Sequence, residues 1–271
     1  MPDAEKTRLL RVSESISQEF KEEVYRKYPE RVVTQGNGRL PIIYWDGTDS
    51  ENRWEETSTQ FPGDPTTLYY QQEPIEYKLN SNGFRTPHDL DENTPGNLFL
   101  GCSHTSGVGH HLRNTWSWKM HNYIGGGRYA FYNLAMGGTG FMYAYRIFMH
   151  YISKLKVKNV FFYGLYDYRY EFYSISGEQW KEFTLWSEDV PDKMQPLLFN
   201  EYTSFLLNTA LLKAIAHECN HRGIPFYFSC EDPDADDSGI LARDRQHFNI
   251  DAQDHIYTMF RDLYSAKNTW K

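Results

Sequence analysis

Two rhythms of apolar and polar residues divide the chain near residue 80. In residues 13–28 (SESISQEFKEEVYRKY), Ile16, Phe20, Val24 and Tyr28 recur on one stripe. Ser13 or Ser15 is placed to cap that stripe and Pro29 to stop it, so the spacing predicts a helix. Residues 30–80 lose the helical period. Gly, Pro, Asp and Asn separate short Tyr/Ile/Val-rich pieces, at 40–45 and 67–71 for example, and this stretch reads as loops and short antiparallel strands wrapped against the main domain.

From residue 97 short apolar runs alternate with amphipathic segments. The runs at 97–100, 129–134, 159–163 and 224–230 predict strands. The segments at 112–123, 141–155, 199–222 and 251–266 predict helices, the third of these ending at Gly223. Strand–helix alternation means an α/β fold, with a central, mostly parallel sheet covered on both faces. The chain therefore divides into an irregular N-terminal extension (residues 1–80) and an α/β domain (81–271), interrupted by an aromatic-rich insertion at 167–200. Loops that long in a compact domain are functional or mobile, and this one stands where a substrate wall or lid would be. In parallel sheets the working site lies beyond the carboxyl ends of the strands. Ser103, the segment 137–140, the segment 164–167 and the approach to Asp244 all come directly after predicted strands.

Composition narrows the function. The 271 residues carry a net charge of −8 and no basic stripe, which argues against a nucleic-acid partner. No apolar run reaches membrane-spanning length, and the first residues lack a charged-then-apolar signal. The expected location is the cytoplasm, and a virion component released by lysis is compatible with the same features. Three cysteines without regular spacing fit free thiols better than a disulfide framework. Aromatics make up 17% of the chain and crowd between residues 161 and 186. They read either as packing or as a platform for sugar rings.

The candidate chemistry lies in two distant segments. Residues 98–105 (LFLGCSHT) are an apolar run that stops at a glycine and presents Ser103 just beyond it. Residues 242–249 (ARDRQHFN) put Asp244 and His247 three positions apart, so that one turn of chain brings both to the same point. A serine hydroxyl needs a base to take its proton, and the base needs a carboxylate to fix its tautomer. Ser103, His247 and Asp244 supply those roles. Asp251, Asp254 and His255 form a rival set within the last predicted helix, where a solvated face accounts for them. His104, His110, His111 and His121 match no zinc spacing, and the acidic run 231–237 lacks the glycine and glutamate placement of an EF-hand. No metal or organic cofactor is expected.

The Gly-x-Ser-x-Thr form at 101–105, together with Asp-x-x-His at 244–247 and the lead-in Asn-Ser-Asn-Gly-Phe-Arg at 80–85, resembles the SGNH (GDSL-type) hydrolase family over roughly residues 78–260. The resemblance implies a three-layer α/β/α sandwich with flavodoxin-like strand order, and hydrolysis of esters, often acyl groups on sugars or lipids. It casts Ser103 as nucleophile, His247 as general base and Asp244 as its orienting partner. The family's second block maps onto Asn133 and Gly138, the Gly138 N–H joining that of Ser103 in an oxyanion hole. Two positions depart from the pattern. Cys102 stands where the family has Asp before the serine. Tyr166 stands where the third block has the Asn that donates to the oxyanion, so Tyr166 is the candidate substitute. His104, Asn133, Asp167 and Tyr168 are expected to line the pocket. The implied function is a serine esterase removing a short acyl group, acetyl above all, from a carbohydrate. The alternatives are an O-acyltransferase with the same triad, and a glycan-binding or structural module that has lost turnover.

Overall fold

The structure, a computed structural model, describes residues 42–125, 127–165, 168–174, 179–184, 190, 194–233 and 239–267. The helix expected at 13–28 lies outside them. The described part of the extension starts at strand β1 (Ile42–Ile43), followed by helices α1 (Glu51–Gln60) and α2 (Pro65–Gln72) and by strand β2 (Tyr77–Lys78), which pairs antiparallel with β1. The 67–71 piece expected as a strand is thus helical. The reason is local: Asp64 accepts from the Thr66 and Thr67 amides, and Pro65 sits in the first turn, where its missing N–H costs nothing. Helix α1 is likewise capped by Ser50, and its polar sequence buries no residue, which is why no apolar stripe announced it.

The α/β domain runs β3 (Gly96–Gly101), α3 (Ser103–Ser106), α4 (Trp116–Tyr123), β4 (Ala130–Asn133), α5 (Phe141–Tyr151), β5 (Val157–Tyr163), β6 (Arg169–Ser174), β7 (Gln179–Thr184), α6 (Gln195–Leu198), α7 (Glu201–His221), β8 (Phe226–Ser229) and α8 (Ile250–Ser265). Strands β4-β3-β5-β8 form one parallel sheet in that order. The chain leaves β3 for one neighbour and returns to place β5 on the other side. Such a reversal opens a crevice at the carboxyl ends of the strands.

Period-2 alternation sorts the strand side chains between two cores. Leu98, Leu100, Tyr132, Val160, Phe162 and Phe226 pack against α5 and α7 on one face. Phe99, Phe131, Phe161, Tyr163 and Tyr227 pack against α4 and α8 on the other. On the second face, rings stack across neighbouring strands. Phe99 and Phe161 lie 5.3 Å apart, Phe161 and Tyr227 5.0 Å, while Trp116 stacks on Phe260 at 4.5 Å. Much of the aromatic content is therefore core.

The insertion is not irregular throughout. Strands β6 and β7 form an antiparallel ribbon, Tyr170 opposite Phe183, held to α5 by the buried Arg146–Glu171 ion pair at 2.7 Å.

Because Phe161 is fully buried at the centre of the stacked rings, Phe161→Ala is expected to destabilise the fold by about 3–5 kcal/mol. Urea unfolding of the two proteins measures this, and a loss below about 1 kcal/mol would mean that the ring row is not a tight core.

Candidate active site

Ser103 starts the short turn α3 directly after the central strand β3. Gly101 makes this possible. Its φ is +149°, and a Cβ there would lie 2.1 Å from Thr105 Oγ1 and 2.7 Å from the Tyr163 carbonyl. Only glycine lets the strand turn so tightly into the helix. Gly107, with φ +80°, ends the turn. Amides in a first helical turn have no partner within the helix, so the Ser103 N–H stands available at the sheet edge.

The loop after β4 lies beside this turn. A Cβ on Gly137 would be 3.8 Å from Ser103 Cβ, and Gly138 has φ +81°. Asn133 does not line the pocket as expected. It is fully buried, donates through Nδ2 to the Thr105 carbonyl at 3.0 Å, and accepts from the Ala135 amide at 3.2 Å. Its side chain ties the end of β4 to the serine turn, and so positions both.

Asp244 and His247 arrive from the segment between β8 and α8. His247 Nδ1 donates to Asp244 Oδ2 at 2.7 Å. Thr48 Oγ1 donates to the same oxygen at 2.5 Å, and the amides of Gln246 and His247 reach Oδ1 at 3.1 and 3.3 Å. Asp244 is 1% exposed. Burial alone would raise its pKa, but the bond from His247, attraction to that ring and the bond from Thr48 pull it down to about 2. Between these two residues Arg245 takes a left-handed backbone (φ 53°), and its guanidinium is anchored on Asp64 at 2.6 Å.

Thr48 belongs to a turn of the extension, closed by reciprocal bonds between Asp46 and Asp49. The turn is fastened to the Asp244 segment by a buried, two-pronged ion pair. Arg243 Nε and Nη2 meet the Asp49 carboxylate at 2.7 Å each, and the guanidinium lies 4.0 Å from the Trp45 ring centre. Tyr77 donates to Asp49 and accepts from the Gly109 amide at 2.8 Å. The lead-in motif completes the frame. Asn80 Oδ1 accepts the Asn82 and Phe84 amides, and the turn aims Arg85 at the carbonyls of Ser106, Gly107 and His110, at 3.1, 2.5 and 2.7 Å. Thr48, Asp49, Arg85 and Arg243 are residues for which sequence reasoning assigned no role. The "N-S-x-G-F-R" likeness flagged Arg85 without a mechanism, and the Asp49–Arg243 pairing spans 194 positions with no local signal.

A cleft of about 830 Å³ joins these parts. Asp46, Gly47, Thr48, Ser103, His104, Val108, Gly137, Gly138, Arg169, Gln246 and His247 line it. The structure thus gathers Ser103, Gly138, His104 and His247 at one place, with Asp244 buried behind His247. Among the described residues no hydrogen bond joins the Ser103 hydroxyl to the His247 ring. Hydrogen bonds of this kind are often long in unliganded enzymes and tighten on substrate binding. His104 stacks on Phe248 at 4.0 Å and meets His247 edge-on at 5.1 Å.

Tyr168 is not named among the lining of this cleft, and its ring lies edge-on to Phe199 at 6.3 Å. Tyr170 is buried beside Phe199, and Arg169 is the residue of the insertion named among the described lining of the cleft. Tyr166 and Asp167 lie outside the described residues. Among the described residues no group of three His, Cys, Asp or Glu side chains could hold a metal ion, and no helix is long and apolar enough to cross a membrane.

Comparison of the chain with family models, with curated proteins and with solved structures gives no match.

Two outcomes are expected from this geometry. The lowered pKa of Asp244 contributes stability that is fully present above its unfolded value of about 3.9 and is lost as pH falls through about 2. The unfolding free energies of the parent and Asp244→Asn should differ by about 2–3 kcal/mol at neutral pH, and the gap should close in acid. A gap independent of pH would refute the assignment. Arg85→Lys, which cannot span the three carbonyls, should cost about 1–3 kcal/mol in urea unfolding; an unchanged midpoint would mean that Arg85 does not brace the serine turn.

Proposed function

We propose that the protein is a serine esterase of the SGNH type that removes a short acyl group, acetyl above all, from a carbohydrate or related alcohol. The observation that carries this reading is one cleft bordered by Ser103, by Gly138 and by a His247 whose far nitrogen is hydrogen-bonded to a buried carboxylate. The parallel order β4-β3-β5-β8, with helices on both faces, is compatible with the three-layer sandwich of that family. The cleft volume suits a ligand of sugar size.

In this mechanism His247 Nε2 takes the Ser103 proton as Oγ attacks the ester carbonyl. The amides of Ser103 and Gly138 hold the resulting oxyanion, a contribution of roughly 10²–10³ in rate per donor. The imidazolium, steadied by Asp244, gives its proton to the departing alcohol oxygen as the carbon–oxygen bond breaks. Water then attacks the acyl-serine, and its proton passes through His247 back to Ser103 Oγ while the acid leaves. A sugar hydroxyl in place of water at that step would make the same site an acyltransferase. Thr48, by holding Asp244 Oδ2, is a positioning residue for the imidazole.

The open Ser103–His247 pair favours one competing reading, a glycan-binding module without turnover. Labelling with a fluorophosphonate, read by intact mass, separates the two, because the probe needs an activated serine and no knowledge of the substrate. The esterase reading expects one adduct on the parent, none on Ser103→Ala, and labelling slowed by roughly 10²–10⁴ in His247→Ala. No adduct on the parent, or equal labelling of Ser103→Ala, would overturn it.

A further inference from the structure

Gly109 and His110, just beyond the serine turn, both touch the segment that carries the base, and they touch it on opposite sides of Asp244 and His247. Gly109 meets it ahead of the pair, where its carbonyl accepts the Arg243 amide at 2.9 Å. The approach is close: a Cβ on Gly109 would lie 2.9 Å from the Ala242 Cβ and 3.1 Å from Asp244 Oδ1. His110 meets it behind the pair, where its Nε2 lies 2.7 Å from the Phe248 carbonyl oxygen.

A carbonyl can only accept, so Nε2 carries a proton. The ring is fully buried, and burial outweighs the bond to Phe248 and pushes its pKa down to about 4. His110 is therefore neutral at ordinary pH, with its one ring proton on Nε2. Its other nitrogen faces the Tyr70 hydroxyl at 3.4 Å, and that hydroxyl donates to the Leu241 carbonyl at 3.2 Å. The main chain of His110 is tied as well. Its amide donates to the Gly107 carbonyl at 3.1 Å, and its carbonyl accepts from Arg85 at 2.7 Å. The side chain thus starts from the braced backbone behind Ser103 and ends on the residue next to the base.

Phe248 is gripped a second time through its ring, which stacks on His104 at 4.0 Å. Ahead of it, Asp244 Oδ1 takes the amides of Gln246 and His247. The main chain of His247 is held before and behind, and the Nδ1 bond to Asp244 then fixes its ring.

We propose that His110 is a positioning residue for the base: its Nε2–H, bound to the Phe248 carbonyl, transmits the placement of the serine turn to the His247 imidazole. Its effect on rate rests on the esterase reading; its effect on the His247 ring does not.

Three variants separate this role from packing. His110→Phe keeps a ring and loses the donor, His110→Asn has a donor too short to reach Phe248, and His110→Gln keeps one at the reach of Nε2. Fluorophosphonate labelling of Ser103 is expected to slow by about 10–10²-fold in His110→Phe and His110→Asn, and to recover most of its rate in His110→Gln. In a His247→Ala background the same substitutions should change the rate by less than about 2-fold, since a residue that acts through the base has no effect once the base is gone. A full effect that persists in that background would overturn the proposal, and so would labelling of His110→Gln no faster than that of His110→Asn. The second readout is the proton NMR resonance of His247 Nδ1–H, moved downfield by its bond to Asp244 and assigned by its loss in Asp244→Asn. It is expected in the parent and in His110→Gln, and broadened away in His110→Phe and His110→Asn. Its absence from the parent, or its persistence unchanged in all three variants, would overturn the proposal. The expected pattern of resonances with no adduct on the parent would sink the esterase reading and leave the positioning role standing. An adduct on the parent at a rate that no His110 substitution alters would do the reverse.

Discussion

A carboxylate taken out of water must be met by donors, or it takes up a proton. Asp244 is where this protein answers that constraint. Both of its oxygens are occupied: one by Thr48 and the His247 ring, the other by two amides of its own turn. The consequence reaches both ends of the chain. Thr48 is in place because the 46–49 turn is bolted to the Asp244 segment by Asp49 and Arg243, and Tyr77 passes that hold on to the loop after the serine turn. A buried ion pair of this kind adds little net stability, yet breaking it by removing one partner is costly, by about 3–5 kcal/mol. Its value here is geometric. It fixes the Asp244 segment, and through it His247, against the cleft.

The parallel sheet supplies the other half of the site. Strands β3, β4 and β5 end at one edge, and each hands the chain to a segment of different chemistry. After β3 comes a glycine and a serine in a tight helical turn; after β4, a glycine-rich loop in which a Cβ added at Gly137 would touch that serine; after β5, a ribbon whose first residue is an arginine lining the cleft. Two stacked aromatic and aliphatic cores, one per face, hold the strands in register. Asn133 and Arg85 then brace the backbone of the serine turn from beneath. Ser103 thus sits on rigid elements, as a reactive group would need if its geometry is to be kept within a fraction of an ångström.

The strands and long helices of the α/β domain were legible in the sequence, because buried parallel strands read as short apolar runs, and α5 and α8 carry amphipathic stripes. The serine turn and the Asp-x-x-His pair were legible because each is local: a few consecutive residues hold the pattern. Failures came where the deciding force was not local periodicity. Helix α2 depends on the Asp64 cap and Pro65 more than on a stripe, so its Thr/Leu/Tyr content passed for a strand. Asn133 looked like a pocket residue because its side chain is polar and ends a strand, but the nearby Thr105 carbonyl claims it. The β6–β7 ribbon was hidden because the aromatic residues at 170, 172 and 173 break a clean period of two in the sequence. Arg169 and Thr48 belong to the cleft only because the chain folds them there, and their sequence neighbours give no sign of it.

Acylation of Ser103, with His247 as its base, is the step on which the proposed chemistry stands or falls. To observe it, the protein is mixed with p-nitrophenyl acetate, quenched in acid within the first turnover, and the acetyl group mapped by peptide mass. The expected result is one acetyl group, on the peptide carrying Ser103, and its disappearance in both Ser103→Ala and His247→Ala. An unacetylated Ser103 peptide, acetylation elsewhere in the chain, or undiminished acetylation of Ser103 without His247 would contradict the esterase mechanism.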